Sequence, residues 1–266
     1  MKVFISADIE GTAGICHWDE TLRTHPDWAE FRALMTAEVL AACDGARAAG
    51  ATEIVIKDAH DSGRNLMVDR LPDDTRVVRN WSGHPDGMMF GLDRSFAAVL
   101  YTGYHSKAGT EANPLAHSFN TRISRILLNG EVASELTFNA LCAALYGVPS
   151  VFIAGDAGIC ADASAMMPGI ATVETLVGAG PATNSIAPVR SCRLIRETVE
   201  TALKGDLSRL VPDVAGPWEV VIEFVNPVNA YQSAWYPGAR AHGPRAVAFD
   251  AAGFFDILRA MRFIKG

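Results

Sequence analysis

Cysteine is scarce and unpatterned in this sequence: Cys16, Cys43, Cys142, Cys160 and Cys192 are the only five in 266 residues. Their number is odd and none stands in C-x-x-C spacing, so no disulfide framework is indicated. They read as small buried hydrophobes of a reducing compartment, and the expected location is the cytoplasm. Met1-Lys2 leads straight into a strand with no basic-then-apolar leader. No apolar run reaches the roughly twenty residues of a membrane span, which excludes a helical membrane protein. Basic charge is short as well: 23 Lys and Arg against 30 Asp and Glu leave a net charge of -7, opposite to that of a nucleic-acid binder.

Whole classes of catalytic motif are also missing. There is no G-x-S-x-G elbow, no P-loop, no G-x-G-x-x-G after a strand and no H-E-x-x-H helix. These absences exclude the serine hydrolase elbow, phosphate-loop and dinucleotide sites, and the usual single-zinc protease. What is present is 49% apolar and 20% charged residues, enough for a sizeable core.

The richest stretch is residues 1–11. Val3, Phe4 and Ile5 read as a buried strand, and Gly11 breaks it. Asp8 and Glu10 stand two apart, so continued extension sends both carboxylates to one face. Taken alone, the pair fits a solvated strand end or a helix N-cap as well as a metal site. Residues 12–28, with His17, Trp18 and His25, form a surface loop or the rim of a site. A helix follows over 28–49, then a strand over 52–57 ending in Asp58-Ala59-His60. Strand, helix and strand at this spacing make a right-handed βαβ unit with parallel strands. Parallel strands place Asp8, Glu10, Asp58 and His60 on the same sheet edge, where open α/β sheets bind ligands. A third apolar strand, 95–103, ends in Tyr104-His105 and repeats the pattern.

Farther on, short strands are expected at 66–68 and 75–78, and Asn129-Gly130 marks a hairpin after the β-prone run 123–128. His117 fits a ligand, a catalytic histidine or an ordinary loop histidine. A buried helix spans 132–146 with Glu135 in its first turn, where it suits the helix dipole or faces the metal edge. A strand over 149–155 ends at Asp156, and residues 158–181 read as turns around one short strand at 170–173. A helix over 188–203, strands at 218–225 and 246–249, a short helix between Pro227 and Pro237, and a helix over 251–264 complete the chain. The fold class is α/β: three layers around a largely parallel sheet, with a smaller α+β C-terminal lobe. The expected division is a metal-binding catalytic domain over 1–165 and the lobe over 166–266.

Asp8, Glu10, His60, His105, Glu135 and His117 are the candidate constellation, with Asp58 and Asp156 in reserve. Three carboxylates and two histidines exceed one tetrahedral zinc and suit two ions about 3.5–4 Å apart. Mixed nitrogen and oxygen donors without thiolate point to zinc, manganese or cobalt. A water bridging the pair is a hydroxide near neutral pH, ready to attack a polarised carbonyl.

Ser6-Ala7-Asp8-Ile9-Glu10-Gly11, Asp58-Ala59-His60, Gly103-Tyr104-His105, His117-Ser118 and residues 129–140 together resemble the D-aminopeptidases of the DppA type, peptidase family M55. The resemblance runs along nearly the whole chain, through residues 151–156 and 222–224. It implies a dinuclear zinc aminopeptidase, two ions per subunit, acting on short peptides with an N-terminal D-residue such as D-Ala-D-Ala. It implies that Asp8 bridges the ions, that Glu10 and His105 complete one site and His60 and Glu135 the other, and that His117 is catalytic. It also implies a ring-shaped homodecamer that admits only small peptides. Residues 12–18 and 81–91 depart from the family pattern. They leave L- and β-amino substrates open, and with them a metal-dependent amidase or a non-catalytic peptide-binding protein.

Overall fold

The computed structural model describes residues 1–265. In chain order its elements are β1 (Lys2–Ala7), α1 (Trp28–Ala48), β2 (Glu53–Asp58), β3 (Thr75–Val78), β4 (Ala98–Tyr104), β5 (Ile123–Leu128), β6 (Glu131–Val132), α2 (Glu135–Leu145) and β7 (Ser150–Asp156). They continue with α3 (Ala157–Met166), β8 (Ala171–Ala179), β9 (Ala182–Ser185), α4 (Pro188–Leu203), β10 (Trp218–Phe224), α5 (Pro227–Ser233), β11 (Ala239–Ala241), β12 (Ala246–Ala251) and α6 (Phe254–Ile264).

Seven strands form the main sheet in the order β3-β2-β1-β4-β7-β8-β9, parallel except for β9. The chain steps outward from β1 to β2 and β3, then restarts beside β1 with β4 and steps the other way to β7 and β8. Right-handed crossovers therefore put α1 on one face and α2 and α3 on the other, and α4 packs against α1. The layers are helix, sheet, helix. The reversal of direction lies between β1 and β4, and open α/β sheets bind ligands at the carboxyl ends of such a pair.

Local chemistry explains each element. The sequence of β1 is β-branched and aromatic, and Val3, Phe4 and Ile5 are fully buried. Along α1, Met35, Val39, Cys43 and Ala46 recur at three and four and turn inward. The turn between β5 and β6 has positive φ at both Asn129 (51°) and Gly130 (86°), the geometry of a two-residue hairpin. A second, antiparallel sheet, β11-β12-β10-β5-β6, carries α5 and α6. It shares one continuous hydrophobic core with the main sheet, joined where Phe138 of α2 meets Phe254 of α6. The two sheets interleave along the chain: β5 and β6, within 1–165, belong to the small sheet, and β8 and β9, within 166–266, to the large one.

Three expectations change. The strand expected at 66–68 is absent, and Val68–Arg70 is a 3-10 turn. Its backbone is consumed by side chains: the Asn65 and Leu66 amides donate to Asp58, and Arg32 donates to both of their carbonyls. The helix expected from Val132 starts at Glu135, because Ser134 caps it by accepting from the Thr137 amide at 3.1 Å. The segment 158–181 is not mainly turns. Asp156 caps α3 by accepting from the Ile159 amide, and β8 runs for nine residues. Among the described residues, no helix is long and apolar enough to cross a membrane.

Candidate metal centre

Asp8, Glu10, His60, His105, His117 and Glu135 meet at the carboxyl ends of β1, β2 and β4, joined by the N-terminus of α2 and the loop before β5. Strand β1 ends at Ala7, so Asp8 and Glu10 converge through a tight turn and not through strand alternation. Two glycines allow that turn. A Cβ on Gly11 would lie 1.7 Å from the Tyr104 carbonyl oxygen, and one on Gly103 (φ 67°) would lie 2.2 Å from the Asp8 carbonyl oxygen. The ends of β1 and β4 are thus pressed backbone to backbone, tied by the Asp8 amide to Thr102 O and the Gly11 amide to Gly103 O, both 2.8 Å.

Each histidine is held the same way. His60 Nε2 lies 2.9 Å from the Thr21 carbonyl, His105 Nδ1 lies 3.0 Å from that of Ser106, and His117 Nδ1 lies 3.0 Å from that of Leu115. A carbonyl only accepts, so those nitrogens carry hydrogen and the opposite nitrogens are free to offer a lone pair. All three free nitrogens point inward. His60 Nδ1 lies 3.3 Å from Asp8 Oδ1 and 3.1 Å from Glu10 Oε2. His105 Nε2 lies 3.6 Å from both Asp8 Oδ2 and Glu135 Oε1. His117 Nε2 lies 4.0 Å from Glu10 Oε1 and 3.7 Å from Glu135 Oε1.

Asp8, Glu10 and Glu135 are each no more than 5% exposed. Burying three carboxylates costs several kcal/mol apiece, and ordinary hydrogen bonds of about 1.5–3 kcal/mol do not offset that. With neutral imidazoles, two inward atoms, Glu10 Oε2 and His105 Nε2, have no hydrogen-bond partner. The cluster lacks positive charge at its centre, and divalent ions fit the donor set. Burial and the neighbouring Glu10 raise the Asp8 carboxyl well above its usual range. Burial pushes Glu10 up too, but His60, His105 and His117 outweigh it and hold Glu10 low. Burial lowers His105, yet Glu135, Glu10 and Asp8 lift it to about 9. Burial and His105 push His117 down. The metal-free cluster therefore holds protons where cations belong, and metal binding releases them.

The inward atoms fall into three sets: Asp8, Glu10 and His60; Asp8, His105 and Glu135; and Glu10, His105 and His117. Asp8 turns one oxygen to each of the first two, in keeping with a bridging position. Glu10 shares one set with His60 and another with His105, as the family resemblance implies, while no set joins His60 to Glu135. The reserve residues stand outside. Asp58 is spent on the Asn65 and Leu66 amides. Asp156 accepts from Ser106, Ile159 and Asn113, and Asn113 also donates to the Glu10 carbonyl at 3.0 Å. Both brace backbone.

The centre opens into a cavity of about 510 Å³, within the roughly 300–1,000 Å³ of small-ligand sites. Segments 12–18 and 81–91, where departures from the family pattern are expected, both reach it: Trp18 edges onto His117 at 5.2 Å, and Trp81 to Met88 form a wall. Lys57 pins that wall, donating to the Asn80 carbonyl at 2.9 Å with its ammonium 4.2 Å from the Trp81 ring. Burial pushes this lysine down to about 8. Trp18 lies in the stretch that sequence reasoning read as a surface loop or the rim of a site, and Asp86 in the stretch 81–91 that it tied to substrate choice; Lys265 was missed as a lining residue.

Comparison with known proteins agrees with this geometry. The family model for peptidase M55, D-aminopeptidase, matches residues 1–263. A curated D-aminopeptidase of Bacillus subtilis (strain 168) is 28% identical over 267 residues, covering 98% of this chain and 95% of the relative. A solved structure, described as the Zn-dependent D-aminopeptidase DppA from Bacillus subtilis, a self-compartmentalizing protease, superposes with a TM-score of 0.93 at 27% identity. That match covers 100% of this chain and 97% of the other. The chain belongs to the M55 D-aminopeptidase family and is a metallo-aminopeptidase, a hydrolase of peptide bonds.

Proposed function

We propose that the chain removes an N-terminal D-residue from short peptides such as D-Ala-D-Ala, using two zinc ions held by Asp8, Glu10, His60, His105 and Glu135. The observation that carries this reading is the common setting of the three imidazoles. Each is fixed by a backbone carbonyl at one nitrogen and offers the other to a core of buried carboxylates. Bound zinc supplies Lewis acidity toward a peptide carbonyl and lowers the pKa of water toward neutrality. Manganese or cobalt suits the same donors.

The protein's own groups do the rest. Asp8 lies between the two ligand sets, and its carboxylate faces both. His117, held neutral and fixed through Nδ1, moves a proton at Nε2 between the attacking water and the leaving amine. Trp18, Leu22, Phe119 and Phe138 close the walls against bulk water. All five cysteines are free, which supports a reducing, cytoplasmic setting. Tyr231, Trp235 and Phe263 are 68%, 74% and 65% exposed. Such an aromatic face, with the self-compartmentalizing behaviour described for the solved relative, supports a homo-oligomer, in its fullest form a ring of ten; a monomer by light scattering would contradict it.

Zinc-loaded protein offered D-alanyl, L-alanyl and β-alanyl peptides should release amine from the D-series. Release only from L- or β-substrates would move the specificity to the altered wall at Trp81 to Met88. Release from none would overturn the aminopeptidase reading.

A further inference from the structure

The cavity is electrically lopsided. Asp8, Glu10 and Glu135, with Asp61 and Asp86, supply its carboxylates, while its two full cations, Lys265 and Arg262, both come from α6 and the turn that ends it. They stand three residues apart and so share a face of that turn. Phe119 links the carboxylate cluster to Lys265. Its amide donates to Glu135 Oε1 at 2.6 Å, and its ring carries the Lys265 ammonium 4.1 Å from the centroid. A single residue, Phe119, thus touches both the Lys265 ammonium and the carboxylate cluster.

This arrangement is built. Phe119 takes φ 64°, a costly conformation for an aromatic residue. The Lys265 carbonyl accepts from Asn120 Nδ2 at 3.0 Å, and the Ile264 carbonyl accepts from Ser233 Oγ at 2.7 Å. The end of α6 is thereby fastened to the loop that carries His117. Among the described residues no carboxylate forms an ion pair with the Lys265 ammonium; burial pushes it down to about 8 against the more distant pull of Glu135, so it remains mostly charged at neutral pH without a directly paired carboxylate.

We propose that Lys265, with Arg262 beside it, binds the free C-terminal carboxylate of the substrate and selects dipeptides and other short peptide acids whose carboxylate lies one residue beyond the scissile bond. The inference rests on the aminopeptidase reading. A dipeptide carries its scissile carbonyl and its carboxylate within one small molecule that the shared cavity can hold, and its charge supplies the partner that the lysine lacks. A peptide amide fills the same space and leaves the cation unpaired.

The test compares D-alanyl-D-alanine with D-alanyl-D-alaninamide, which share the scissile bond and differ only in the terminal charge. Zinc-loaded wild-type protein should favour the acid in kcat/KM, mainly through KM. In Lys265→Met that preference should fall ten-fold or more, and Lys265→Arg should restore most of it. An undiminished preference in Lys265→Met overturns the anchor while leaving the aminopeptidase reading intact. Cleavage of neither peptide by wild type overturns the aminopeptidase reading instead. Calorimetric titration of both peptides into His117→Ala protein, with and without Lys265→Met, then reads the anchor with turnover suppressed: tighter binding of the acid that depends on Lys265 supports it, and equal binding with and without the lysine refutes it.

Discussion

The imidazole of His117 lies flat on that of His105, with ring centroids 4.2 Å apart and planes 7° apart. Two imidazoles at this distance resist both becoming positively charged imidazolium, because like charges repel across so short a gap. Glu135, Glu10 and Asp8 draw the proton or metal to His105, and His117 is left neutral. A neutral imidazole beside a metal pair is suited to proton transfer. His117→Ala should lower kcat by about 10²–10⁴-fold while zinc content by elemental analysis stays at the wild-type level. Full activity in that variant would remove His117 from the chemistry.

The spatial sets predict which ligands fail together. Glu10→Ala and His60→Ala should each weaken mainly one ion, and the double variant should lose little more than either alone. His105→Ala and Glu135→Ala should do the same to the other ion, and Asp8→Ala should lose both. Zinc titration with a chelating indicator measures this. Glu10 coupling to His105 in place of His60 would instead bear out the pairing that the family resemblance implies.

Glu38 supplies a pH dependence remote from the metals. It is 1% exposed, its Oε1 accepts from the Ala13 amide and Ser191 Oγ, and its Oε2 has no partner. Burial raises it to about 7. A carboxyl whose folded pKa lies above its unfolded value stabilises fully below the unfolded value, and loses that contribution as pH rises through the folded one. Stability should therefore fall between about pH 4.5 and 7, by on the order of 3 kcal/mol from this group. Thermal melts of Glu38→Gln should show a flatter profile across that window. A profile parallel to wild type would contradict the assignment.

Gly103→Ala tests the contact between the ends of β1 and β4. A methyl group there strains a left-handed residue and collides with the Asp8 carbonyl. The expected cost is about 2 kcal/mol or more, read as a fall in Tm of several degrees together with weaker zinc retention. An unchanged Tm would mean that the two strand ends separate easily.

Much of this site was legible because parallel topology turns strand ends into neighbours. Asp8, His60 and His105 each follow an apolar run, and the order of those runs fixed the shared edge. Glu10 was found for an incomplete reason, since a turn and not strand alternation brings it inward. The closeness of His60 to Glu10 was hidden, because it depends on which strand lies beside β1. Asp156 looked like a strand-end acid, although an Asp three residues before Ile159 is an N-cap signal, and α3 follows from it. Lys265 gave no local sign at all: its role depends on α6 folding back across the loop at 117–121.

The central claim is a two-metal centre bridged by Asp8, and elemental analysis of protein purified without chelator tests it most directly. About two zinc, manganese or cobalt ions per chain are predicted, falling to near zero in Asp8→Ala. Fewer than about one ion per chain in the wild-type protein, with hydrolysis intact, would contradict it.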